Sequence, residues 1–123
     1  MDTMIEVIAS AESRCEGWLC GDATVEETAA WWAETGLDPH TADAWITLGA
    51  FDPDRVAELR AAGLSVDDFL TRDSSIPSVL IADGPMAGYR TLFDPATERL
   101  LVYAWCNHDV TLDRVRELVE ATL

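Results

Sequence analysis

The sequence predicts an α+β fold: an N-terminal helical part of short repeated helix-turn units, then a small antiparallel β-meander and a C-terminal helix. Three observations lead there. Capping-type residues recur at Thr24, Asp38, Asp52 and Ser65, with spacings of 14, 14 and 13 residues. After Pro77 the apolar pattern changes from helical to extended spacing. Thr111 then opens a last stretch of helical periodicity.

Residues 3–19 read as a first helix. Thr3 and Glu6 form a capping box. Met4, Ile8, Ala11, Cys15 and Trp18 make one apolar stripe, and Gly17 and Gly21 mark its end. The repeat follows. Each cap comes after a small or apolar residue (Ala23, Leu37, Phe51, Leu64), and Pro39 and Pro53 take the first helical position, where a missing N–H costs nothing. Seven residues beyond the first three caps stand Trp31, Trp45 and Leu59, and Gly36, Gly49 and Gly63 are placed as stops. A fourth, shortened unit covers 65–70. Helices this short do not hold alone, so they must pack on each other and on the first helix, tryptophans inward.

Residues 71–77 read as a linker or hinge between a helical subregion, 1–70, and a second subregion, 78–123, within one domain. The second begins with strands at 78–82 and 89–93, joined across Asp83-Gly84-Pro85. Asp94-Pro95-Ala96-Thr97 turns into a third strand at 99–106, apolar on both faces and therefore expected to be covered on both. Leu112, Val115, Leu118 and Val119 form the stripe of the closing helix.

Composition limits the partners. The 123 residues carry 23 acids and 8 bases, all arginine, for a net charge of −15, yet 49% are hydrophobic and five are tryptophan. That apolar content separates the chain from disordered acidic sequences. Nucleic-acid and anionic-membrane binding draw on Lys and Arg, so neither is expected. No apolar run approaches the ~20 residues of a membrane span, Met1-Asp2-Thr3 lacks the basic start of a signal peptide, and three cysteines do not make a disulfide framework. A cytoplasmic protein is expected. Abundant Ala, Asp and Arg without Lys fits a GC-rich genome and equally a halophile.

The charge is regional. Residues 1–75 hold 16 acids and 4 arginines, net −12, against 7 and 4, net −3, for 76–123. Between Arg14 and Arg55 lie nine acids and no base. Asp38 and Asp52 are caps. The other seven, Glu16, Asp22, Glu26, Glu27, Glu34, Asp43 and Asp54, are the candidate interaction surface, able to steer a basic partner and repel nucleic acid. Adjacent Trp31 and Trp32 project about 100° apart on a helix, so one of them is a candidate aromatic anchor.

No constellation reaches a catalytic signature. Cys15, Cys20, Cys106 and His108 are the residue types of a Cys3His zinc site. A continuous helix would turn Cys20 roughly 140° from Cys15, however, and the plainer reading makes Cys15 and Cys106 small core hydrophobes. Cys106 and His108 as nucleophile and base lack a third orienting group and an oxyanion hole. Gly84-Pro85-Met86-Ala87-Gly88 lacks the strand-to-helix setting of a phosphate loop, and His40 reads as solvent-facing. No cofactor or metal is expected.

The segments Gly36-Leu37-Asp38-Pro39-His40-Thr41-Ala42-Asp43-Ala44-Trp45 and Phe51-Asp52-Pro53-Asp54-Arg55-Val56-Ala57-Glu58-Leu59 resemble short helix-turn repeats of small actinobacterial and actinophage proteins. The resemblance covers 24–70, carries no catalytic residues, and implies a phage or actinobacterial background. The expected function is a small non-enzymatic protein–protein interaction module that modulates a host protein. One alternative is a nucleic-acid mimic that inhibits a basic nucleic-acid-binding or defence protein. Another is a zinc-binding or cysteine-dependent protein using Cys106 and His108.

Overall fold

The computed structural model describes residues 3–14, 24–82 and 86–121, the last three of the first segment by backbone alone. They form α1 (Met4–Arg14), α2 (Val25–Glu34), α3 (Pro39–Thr47), α4 (Pro53–Ala61), a 3-10 turn (Val66–Phe69), β1 (Leu70–Thr71), β2 (Ser78–Leu80), β3 (Arg90–Asp94), β4 (Arg99–Leu100), α5 (Leu101–Cys106) and α6 (Leu112–Glu120). The architecture is α+β, with the helical units first and a helix last. Gly17, Trp18, Gly21, Cys15, Cys20 and the turn at 83–85 lie outside the described residues.

The repeat is built by local chemistry. Thr24, Asp38 and Asp52 each accept a backbone N–H of the helix they open, from Glu27 at 3.1 Å, Thr41 at 2.7 Å and Asp54 at 2.9 Å. Ser65 opens the shortened unit, its N–H donating to Asp68 Oδ2 at 2.8 Å. Gly36, Gly49 and Gly63 all have positive φ. At Gly49 the requirement is double: φ is +110°, and a Cβ would meet Tyr103 Cβ at 3.2 Å and Leu100 Cδ1 at 3.3 Å. α5 therefore rests directly on the stop of α3.

The core joins both parts of the chain. Ile8, Trp32, Trp45, Leu48, Leu59, Phe69, Leu101 and Val115 are fully or almost fully buried, and Trp45 meets Phe69 edge-on at 5.6 Å. α1 packs on α2 and α3 through Val7, Ile8 and Ala11. The repeat register needs one correction. In α3 and α4 the buried positions include four and seven beyond the cap (Ala42 and Trp45; Val56 and Leu59). In α2 they are Thr28, Ala29 and Trp32, so the inner tryptophan is Trp32 and not Trp31. The buried face of α2 is turned by about one residue relative to the later units.

β3 is central to the sheet, with β1 and β2 antiparallel on its two edges and β4 paired to its C-terminal end. Thr71, the first residue of the 71–77 segment, is in the sheet opposite Arg90. The strand expected at 99–106 is a correction. Only Arg99 and Leu100 are extended, and Leu101–Cys106 coil into α5. A short run apolar on every side is compatible with a buried strand or a buried helix, and periodicity does not separate them. Here α5 is decided by distant partners. Arg55 Nε donates to Trp105 O at 3.0 Å, Trp105 Nε1 donates to Arg55 O at 2.8 Å, and the guanidinium lies 3.6 Å from the indole centroid.

α5 ends as α3 and α4 do. Ala50 and Leu64 return an N–H to Trp45 O and Leu59 O, and Asp109 does the same to Ala104 O at 2.9 Å. The left-handed residue at this third stop is His108, φ 60°, where the others have glycine. β3 ends in Asp94, which is fully buried; its carboxylate accepts from Ala96 N–H and Thr97 Oγ1 and pairs with Arg114 at 3.1 Å, fixing α6 to the sheet.

Candidate functional site

α2 buries Thr28, Ala29 and Trp32 and turns Glu26, Glu27, Ala30, Ala33 and Glu34 to solvent. With 100° per residue, Glu27, Glu34 and Trp31 fall within about 60° of one another on the outer face. Trp31 is half-buried, and its Nε1 donates to Asp54 Oδ2 at 3.1 Å from the first turn of α4. This bond fixes the Trp31 indole and gives Asp54 a partner. It leaves an indole edge bordered by carboxylates of α2.

No ion pair among the described residues involves Glu26, Glu27 or Glu34. Arg55, the first base after the acidic tract, is engaged elsewhere, with Trp105 and with Glu58 Oε2 at 2.6 Å. Glu26 and Glu27 sit in the first turn, where carboxylates favour the positive end of the helix. Glu34 sits in the last turn, where the dipole opposes it. Glu16 and Asp22 lie outside the described residues.

Asp43 is not on this face. It stands on α3 in the wall of a groove of about 650 Å³ between α3, the connection from α4 to the 3-10 turn, and Met86. His40 and Thr47 line the same wall, so His40 is exposed but not isolated. Sequence reasoning missed this groove because its opposite wall is contributed by Arg60, Leu64 and Asp67, far along the chain. The available signal was the polar series His40, Asp43 and Thr47, on the side of α3 away from Ala42 and Ile46.

Two carboxyls have their pKa lowered by local hydrogen bonds. The Thr41 backbone N–H donated to Asp38 holds that carboxyl below its ordinary value. The Ser75 hydroxyl, donating to Asp73 Oδ1 at 2.6 Å, does the same for Asp73.

Cys106 and His108 are separated by the end of α5. Cys106 is 1% exposed, with its Sγ 3.8 Å from Asp52 O, and burial pushes its thiol pKa up. His108 is exposed past the helix stop. A raised thiol pKa is the reverse of what a nucleophile requires. Among the described residues no group of three or more His, Cys, Asp or Glu is arranged to hold a metal, and no helix is long and apolar enough to cross a membrane. Comparison of the chain with protein-family models, with curated proteins and with solved structures finds no match.

Proposed function

We propose that the chain is a small non-enzymatic protein-binding module that presents the outer face of α2 to a basic protein partner. The observation that carries this reading is the pair Glu27 and Glu34, exposed and, among the described residues, without ion pairs, on the same side of α2 as a Trp31 held in place by Asp54, with exposed Glu26 farther round the helix. Exposed carboxylates steer a basic surface toward the site, and a half-buried indole supplies apolar contact once it arrives. A cytoplasmic setting and a host protein as partner follow from the composition and from the resemblance of 24–70 to actinobacterial and actinophage repeats.

A nucleic-acid mimic asks for carboxylates in one array. Asp43 stands in the groove wall and Asp54 is engaged by Trp31, which favours a basic protein surface of ordinary kind over a phosphate-backbone reader. The test is affinity capture from native host lysate with the wild-type chain and with Glu26→Gln/Glu27→Gln/Glu34→Gln. The reading expects a basic protein retained by the wild type and lost by the variant. An identical captured set on both would refute it.

A further inference from the structure

On the β2 side the sheet ends in an open edge, unrelated to the carboxylates of α2. Which backbone groups face outward follows from the ladder. Phe93 N–H donates to Pro77 O at 3.0 Å and Ile81 N–H to Tyr89 O at 2.9 Å, so positions 77, 79 and 81 bond to β3. Ser78 and Leu80 are the alternate positions, and their N–H and C=O groups point away from the sheet. Ser78 O accepts one bond, from Arg90 Nη2 at 3.0 Å, and keeps a second lone pair. The two N–H groups and Leu80 O have no partner among the described residues.

Edge strands are normally blunted by charge, proline or a bulge. β1, on the opposite edge, runs straight into exposed Arg72 and Asp73. β2 has no such protection. Residues 74–82 are the longest stretch of the chain without Asp, Glu, Arg or His, and Pro77 lacks its N–H only toward β3. Val79 and Leu80 project from the two faces of the strand and are 46% and 56% exposed. Charge then narrows the occupant. The field of a chain of net −15 opposes an acidic strand. The Arg90 guanidinium, whose Nε lies 2.8 Å from Ser78 Oγ and which forms no ion pair among the described residues, opposes a basic one. A neutral apolar strand fits, and β2 of a second copy is one.

We propose that two copies of the chain associate through their β2 edges, as an antiparallel two-fold pair centred on Val79. Ser78 of each copy exchanges N–H···O=C bonds with Leu80 of the other, and the two Val79 residues stand opposite each other between these bonded pairs. Three residues a side bury far less than the ~1,200 Å² at which stable interfaces begin, so the pair is weak, with a Kd on the order of 0.1–1 mM.

The test is sedimentation equilibrium with amide hydrogen exchange on the full chain, from about 10 μM to about 1 mM. The mass is expected to rise toward that of a dimer. Association is expected to tighten at least about threefold between low and high salt, because salt screens the repulsion between two acidic chains. Docking through the α2 carboxylates weakens over the same range, so the two readings fail separately. The Leu80 amide gains protection as concentration rises, whereas that of Ile81, already bonded to Tyr89, changes little. Leu80→Lys, at an exposed position outside the core, is expected to weaken association at least about tenfold although it lowers the net charge of each copy. Retained amide dispersion establishes that the variant is folded. A chain still monomeric at about 1 mM in high salt would leave the edge to a strand of another protein and overturn the proposal. A dimer that survives Leu80→Lys, or one that weakens as salt rises, would overturn it equally.

Discussion

Replacing Arg55 by alanine removes the contact that ties the helical repeat to α5. The side chain is 14% exposed and makes three interactions. Its Nε–H donates to Trp105 O at 3.0 Å, a charge-assisted bond of about 1.5–3 kcal/mol. Its guanidinium stacks at 3.6 Å on the Trp105 ring, contributing about 0.5–2 kcal/mol. Its pair with Glu58, whose side chain is 57% exposed, contributes about 0–0.5 kcal/mol after solvent screening. Because the three share one side chain they do not add fully, and a loss of about 2–4 kcal/mol is expected. With a urea m-value of about 1–2 kcal/mol/M, the unfolding midpoint falls by about 1–4 M. Arg55→Lys keeps the charge near Glu58 but not the planar donor, and recovers less than half of the loss. A midpoint within about 0.3 M of wild type for Arg55→Ala, or full recovery by lysine, would refute the assignment.

Three further outcomes are expected. His108→Gly relieves a non-glycine residue at φ 60° and raises stability by about 0.5–1 kcal/mol in urea unfolding; a decrease would mean that the His108 side chain holds the stop of α5. Asp38 has a depressed pKa in the folded state, so its contribution is present above the ordinary carboxylate pKa near about pH 4 and is lost as pH falls through the depressed value. Asp38→Asn keeps a cap without the titration, so the Tm difference between wild type and variant shrinks in acid; a difference constant with pH would contradict this. The Cys106 thiol has a raised pKa, so the stability it contributes is full below the ordinary thiol pKa of about 8.5 and is lost as pH rises through the raised value. Mapped alkylation with iodoacetamide at about pH 8 is expected to leave Cys106 unmodified until urea is added, and modification in the native state would show the site to be open.

The parts of the fold legible in the sequence are those decided within a few residues. Thr24, Asp38 and Asp52 cap their helices because each bond reaches only two or three positions along the chain. The glycine stops are equally local. Trp31 and Trp32 mark the limit of that reasoning. Helical geometry requires them to diverge, but which one faces inward depends on how α2 turns toward α1. The stretch 101–106 was illegible as a helix because its deciding contacts, Arg55 and Gly49, lie about fifty residues earlier and leave no periodic trace. His108 carries no stop signal of its own, since residues other than glycine are uncommon in the left-handed region.

The same division holds for the candidate site. The carboxylates of α2 were visible as a tract without bases, and their exposure follows from the apolar positions Ala29 and Trp32 on the opposite side. The Trp31–Asp54 bond joins residues 23 apart, and the groove joins α3 to Asp67 and Met86, so both required the packed structure.

The outer face of α2 is proposed as the docking surface for a basic partner. Its most direct test is the affinity of the captured partner as a function of salt, measured for the wild type and for Glu26→Gln/Glu27→Gln/Glu34→Gln. Steering by exposed carboxylates predicts wild-type affinity that falls at least about tenfold between low and high salt, and a variant that binds more weakly with a shallower dependence. Wild-type binding indifferent to salt, or a variant with the same affinity and the same slope, would exclude docking through these carboxylates.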